Sequence, residues 1–255
     1  MDLPILSSSQ YLLVHNAIVL SIVIMAGSTL FFLRAHSFVS ERYQVAMAVS
    51  ATVVFIAGLQ YLFIYWNWEN AYAFTEGQYI PTGIGLNHAY RYMDWIVTVP
   101  LLMVEMVAIL GLDREKSRSL TTRLVLAAVA MIVLGYPGEI SESTLTRLVF
   151  GGLSTLPFLY IVYVLWVELS AVMEWQSERI KLLFTNVRLL TIATWGFYPI
   201  AFLMPVVGLS GGDSIIGIQV GYSIADILAK CGYGVLIYSI AKLRTEAELN
   251  AIIAE

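Results

Sequence analysis

Four ionisable residues sit deep inside apolar stretches: Asp94, Glu105, Asp226 and Lys230. A charge at bilayer depth costs at least roughly 2.5–3.5 kcal/mol, so residues that bear it usually face a bundle interior and work there. Asp226 and Lys230 are four apart and share one face of a helix. Asp94 and Thr98 have the same spacing, and Arg91 stands one turn before Asp94. Glu105 follows Asp94 by three turns plus about 20°, or about 16.5 Å along the axis. The resulting stripe of guanidinium, acid, hydroxyl and acid suits stepwise proton transfer, because membrane proton relays are built from carboxyls in series. The plain alternative is a pair of structural ion bridges that only hold helices together.

Lys230 lies among Leu228, Ala229 and Cys231. An amine stripped of water is a nucleophile toward a carbonyl carbon and condenses with it to a Schiff base. Once protonated, that base is a cation and needs carboxylates, for which Asp94 and Asp226 are available. Trp95, Trp195, Tyr198 and Phe202 are suited to clasp a long apolar ligand. The last three recur at three- and four-residue spacing, which ordinary helix packing also produces. Only the lysine with its two acids tilts the stripe toward a pocket.

These residues need elements to position them. The chain has 255 residues, 59% of them apolar and 13% charged, with a mean hydropathy of +0.78. A soluble domain carries about 25% charged residues. A spanning helix needs roughly 20 apolar residues, and seven such stretches can be read. They cover about 11–33, 44–66, 89–111, 121–136, 146–169, 186–207 and 216–241, with the fourth the shortest. Barrel strands alternate, and these runs do not. The expected fold is an all-α membrane protein, a seven-transmembrane-helix bundle forming one domain over residues 1–255. The long connection at 67–88 is rich in Gly, Asn and Tyr. The first ten residues lack the charged region of a signal peptide, so the first run is expected to stay in the membrane. A single cysteine, Cys231, excludes an internal disulfide framework and argues against a metal site. The net charge of −4 gives no reason to expect nucleic acid as a partner.

Basic residues set the orientation. All but Arg91, Arg147 and Lys230 fall after the first, third, fifth and seventh stretches. That side should be cytoplasmic, which puts the N-terminus outside and the C-terminus inside. Arg147 opens the fifth stretch near the outer surface and is expected to snorkel.

Several strings resemble the microbial rhodopsins. They are RYMDWIVTVPLLMVE (Arg91–Glu105), LGYPGE (Leu134–Glu139), WGFYP (Trp195–Pro199) and DILAK (Asp226–Lys230). The likeness covers all seven stretches in order and is nearest to the proteorhodopsin and xanthorhodopsin branch of bacterial proton pumps. It implies all-trans retinal bound covalently at Lys230, Asp94 as primary counterion and proton acceptor, and Asp226 as second counterion. By the same resemblance Glu105 is the cytoplasmic proton donor, and Arg91 responds to acceptor protonation. A chloride pump would lack Asp94, and the sodium-pump pattern places other residues at 94, 98 and 105. The implied retinal pocket comprises Tyr61, Trp95, Leu102, Met131, Gly135, Ser154, Thr155, Trp195, Tyr198, Pro199 and Phe202. Leucine at 102 goes with green absorption. Gly151 matches a glycine that opens a window for a carotenoid antenna in xanthorhodopsin-like proteins, although small-residue packing gives the same residue. The family also implies a homo-oligomer, a trimer or pentamer, in the bacterial inner membrane, with the lipid bilayer and protons as its partners.

The chain departs from the pattern twice. Gln60 stands where many relatives carry a histidine that bonds the acceptor. The glutamates that release protons in archaeal pumps have no match in GIQVGY (Gly217–Tyr222), so release needs another route. His36 and His88 are expected to be structural or solvated, and His15 to face a neighbouring protomer. The expected function is a light-driven outward proton pump, a transporter rather than an enzyme. The alternatives are a sensory rhodopsin signalling through a membrane partner, which Glu105 disfavours, and a retinal-free channel with an ion-paired lysine.

Overall fold

The computed structural model describes residues 3–174, 176–204, 207 and 211–254. Five long helices come first: α1 (Ser8–Ala35), α2 (Glu41–Ala71), α3 (Ala89–Ala108), α4 (Arg114–Glu139) and α5 (Thr144–Met173). The sixth span is split into α6 (Glu178–Trp195) and α7 (Phe197–Leu203). The seventh is α8 (Gly212–Ile253). The expected end of the sixth span, at 205 and 206, lies outside the described residues, as do Met1 and Asp2.

Most helices run beyond the expected apolar cores. Their outer turns carry polar residues that remain helical past the hydrocarbon. The fourth span, expected to be the shortest, is 26 residues long. The carboxylate of Asp113 accepts the backbone N–H of Lys116 at 2.9 Å and caps its start. That bond holds the Asp113 carboxyl below the usual carboxylate range. At the start of α1, Ser7 and Gln10 form a reciprocal capping box.

Five helices are long and apolar enough to cross a membrane: α1, α2, α4, α5 and α8. By the same measure α3 falls short, because Arg91, Asp94 and Glu105 interrupt it. The sixth span falls short because it breaks at Gly196 and begins with charged residues. Neighbouring helices pack in chain order from α1 to α5, and α8 packs against both α1 and α6. The core collects between them, while Leu13, Leu20, Val23 and Leu30 of α1 are exposed on the outside. An apolar outer surface of this kind suits contact with lipid rather than water.

The all-α bundle carries one small addition. A three-stranded antiparallel sheet, ordered β1-β3-β2, covers the end of the bundle that bears the N-terminus. It comprises β1 (Leu6–Ser7), β2 (Tyr72–Thr75) and β3 (Gln78–Pro81). Leu6 pairs with Tyr79 in register, and Phe74 also faces Tyr79. Glu76 and Gly77 both have positive φ, at 51° and 86°. Two such residues between paired strands make the tight hairpin turn whose twist matches the strands, which favours glycine at 77.

Candidate functional site

α3 and α8 face each other across the bundle and bring the predicted charges together. Lys230 Nζ lies 2.9 Å from Asp94 Oδ2 and 2.5 Å from Asp226 Oδ1. All three side chains are buried. Lys230 stands in a π-helical segment of α8, Ile227–Gly232. Such one-turn widenings are frequent at functional sites, and nothing in the residue pattern announces this one.

The two carboxylates differ in their surroundings. Asp226 also accepts from Tyr198 Oη at 2.8 Å on Oδ1, from Tyr61 Oη at 2.8 Å on Oδ2, and from Arg91 at 3.5 Å. Asp94 Oδ1 has no partner among the described residues. The Thr98 hydroxyl donates to the Asp94 backbone carbonyl at 3.0 Å. Arg91 therefore serves Asp226 and not Asp94. Its other bond goes to Gln219 Oε1 at 2.8 Å, and its guanidinium lies over the Tyr222 ring.

Glu105 lies further along α3, fully buried. Ser50 of α2 donates to its Oε2 at 2.5 Å, and Oε1 has no partner among the described residues. Tyr233 donates to the Leu102 carbonyl one turn away.

From Lys230 a cavity extends between α3, α4, α5, α6, α7 and α8. Trp95, Leu102, Met131, Gly135, Ser154, Thr155, Trp195, Tyr198, Pro199 and Phe202 all line it, as does Gly151. A Cβ on Gly135 would come 3.2 Å from Ser154 Oγ and 3.3 Å from Tyr92 Oη. The lining is mostly apolar, with an amine at one end flanked by two acids. That donor set fits a long hydrocarbon aldehyde.

Several expectations need correction. Tyr61, expected in the pocket, does not line the cavity and instead supports Asp226. Arg147, expected to snorkel, is buried and turns inward. It donates to the backbone carbonyls of Glu139, Ser141 and Phe202. His15 lies 3.5 Å from Glu69 and beside the Tyr65 ring, contacts that are compatible with its facing a neighbouring protomer. Gln60 Oε1, buried, has no hydrogen-bond partner among the described residues.

Sequence reasoning missed Tyr92, Val99, Ile132, Glu139, Phe158, Tyr222 and Ala229 in the lining, and Ser50 and Gln219 as partners of Glu105 and Arg91. Ala229 and Val99 were discoverable, since each adjoins a chosen residue on its helix. Ser50 and Gln219 sit on other helices, at distances that only folding fixes.

A buried lysine between two carboxylates, at the end of an apolar cavity in a seven-span bundle, defines a retinal-protein architecture. Residues 13–243 match the bacteriorhodopsin-like protein family, and the chain belongs to it as a microbial rhodopsin of the proteorhodopsin and xanthorhodopsin type. The fold superposes on xanthorhodopsin, a light-driven ion pump with dual chromophore, with a TM-score of 0.93 and 49% identity, covering 97% of this chain and 99% of that one. It matches thermophilic rhodopsin with a TM-score of 0.93 and 42% identity, covering 96% and 99%. The green-light absorbing proteorhodopsin of Gamma-proteobacterium EBAC31A08 is 27% identical over 85% of this chain and 82% of its own length.

Proposed function

We propose that this chain is a light-driven outward proton pump of the bacterial inner membrane, with retinal bound to Lys230. The observation that carries this reading is the unequal partnering of the two acids beside one lysine. Asp226 is surrounded by four donors, which hold it as an anion. Asp94 has a free oxygen and can take up a proton. Retinal, when bound as a Schiff base at Lys230 Nζ, supplies visible absorption and a light-driven change of shape. Lys230 holds it at one end, while Trp95, Trp195 and Phe202 confine its length.

The remaining residues give the transfer a direction. Asp94 receives the proton released at Lys230. Glu105, three turns along α3, returns one from the opposite side. A carboxyl this deep, with one neutral partner and no cation among the described residues, rests as the neutral acid. The basic loops place the Glu105 side in the cytoplasm, so net flow is outward. Glu105 also favours pumping over signalling, because a sensor gains from slow proton return.

Gly151 supports a second chromophore. A Cβ there would meet the Phe202 ring at 2.9 Å, so a larger residue would need that ring to move. Pro199 and Thr155 line the cavity and are exposed, which opens the cavity toward the lipid-facing surface. A carotenoid would be held along this opening by Gly151, Thr155 and Pro199 and would supply a second light-absorbing group.

Illuminated, retinal-fed cells expressing the chain should acidify their medium, and a protonophore should abolish the change. Lys230→Ala should form no pigment stable to denaturation. Alkalinisation of the medium, or a denaturation-stable pigment in the variant, would refute the proposal.

A further inference from the structure

The stretch Gly217–Tyr222 offers no carboxylate for proton release, yet a buried acid lies close by on another helix. Glu139, at the C-terminal end of α4, has a side chain only 9% exposed, and His88 Nδ1 lies 2.9 Å from its Oε1. We propose that the His88–Glu139 pair is the exit station for the transported proton, taking it from the cavity beside Arg91 and releasing it at the face that carries the sheet. This inference rests on the pump reading.

Two cavities meet at the pair. Glu139 lines the large cavity together with Tyr92 and Tyr222. His88 lines a second, smaller space together with Arg91, Gln219, Asn67 and Asn87. Arg91 in turn contacts Asp226, whose other partner Lys230 lies beside Asp94. The pair thus links the charged centre to the surface. The His88 side chain is 47% exposed, so the ring reaches solvent while Nδ1 stays against the buried acid.

The charged and titratable groups around the pair fit this role. From α5, Arg147 Nη2 lies 3.8 Å from Glu139 Oε2 and sets a cation beside that carboxyl group. From α3 and α8, the Tyr92 and Tyr222 phenols and the Arg91 guanidinium face the same region. An ionised Glu139 holds the Nδ1–H of His88 and stabilises the imidazolium that forms next. The free lone pair on Nε2 takes the proton that leaves the Asp94 O–H, by way of the cavity shared with Arg91 and Gln219. The new Nε2–H bond then breaks toward bulk water. One N–H bond forms as one O–H bond breaks, and the neutral imidazole is restored.

The test is flash excitation of the retinal-loaded protein in nanodiscs, with a pH-sensitive dye in the medium. Wild type, His88→Ala, His88→Gln and Glu139→Gln are compared. The expected result is proton release delayed at least tenfold in all three variants, while the rise of the flash-induced absorbance change keeps its wild-type rate. Millimolar imidazole in the medium should restore fast release to His88→Ala. If His88→Ala forms no pigment, His88→Gln decides, because its amide can still bond Glu139 but has no titrating nitrogen. Wild-type timing in His88→Gln overturns the proposal, as does a delay in His88→Ala that imidazole leaves unchanged. Wild-type release with unaltered variants rejects the exit station alone. No light-driven release by the wild type rejects the pump reading, and the exit station with it.

Discussion

Asp94 and Asp226 are chemically identical side chains that touch the same amine, and only their other neighbours distinguish them. Asp226 has the Tyr61 and Tyr198 hydroxyls and Arg91, while Asp94 has one oxygen unbonded. Asp94→Asn should therefore shift absorption to the red, remove the acid-induced colour change and stop transport. Acidified wild type should approach the variant's spectrum, because protonation removes the same negative charge. A pH titration followed in a spectrophotometer checks this, and an unchanged titration in the variant would count against the role. Glu105→Gln should slow recovery of the flash-induced absorbance change about a hundredfold, the scale of a lost general acid. The slowed recovery should depend on bulk pH, and azide should partly restore it. Recovery at the wild-type rate across pH would remove Glu105 from the pathway.

At the scale of the helices, the spacing of α3 and the four-residue step from Asp226 to Lys230 were legible, because both depend only on helical periodicity. The π segment around Lys230 was not, since it is a local change of hydrogen bonding that leaves residue types unmarked. Nor was the sheet, whose β1 strand is two residues long and pairs with a hairpin far along the chain. Pocket residues on α4 and α5 were reached through resemblance rather than through pattern, whereas Trp195, Tyr198 and Phe202 on α6 and α7 also followed from spacing. Tyr61 was misassigned because a position can be near a pocket in sequence likeness and yet turn its hydroxyl to a neighbouring acid. Gly151 on α5 faces Phe202 on α7. Gly151→Trp should close the opening between these helices while leaving the retinal pigment in place. In protein reconstituted with a carotenoid, light absorbed by the carotenoid should then no longer drive transport. An action spectrum that keeps the carotenoid bands in Gly151→Trp would reject the window.

For the molecule as a whole, basic residues gather at the end away from the sheet, which predicts its placement in the membrane. Thr75→Cys, in exposed β2, should react with an impermeant maleimide in intact spheroplasts. Asn250→Cys, near the end of α8, should react only after lysis. The native Cys231 is buried and should give little background. The reverse labelling pattern would invert the direction of transport.

The two ends of the bundle are fastened differently. At one end, main-chain bonds tie residues 6–7 to the hairpin between α2 and α3. At the other, the ties are side-chain bonds such as Ser40 to Glu248, Arg42 to the Gly111 carbonyl and Arg244 to Gln176. A ladder of backbone bonds must break cooperatively, whereas isolated side-chain bonds open one at a time. The molecule is thus built like a pair of tongs, riveted at the sheet and free to part at the opposite tips.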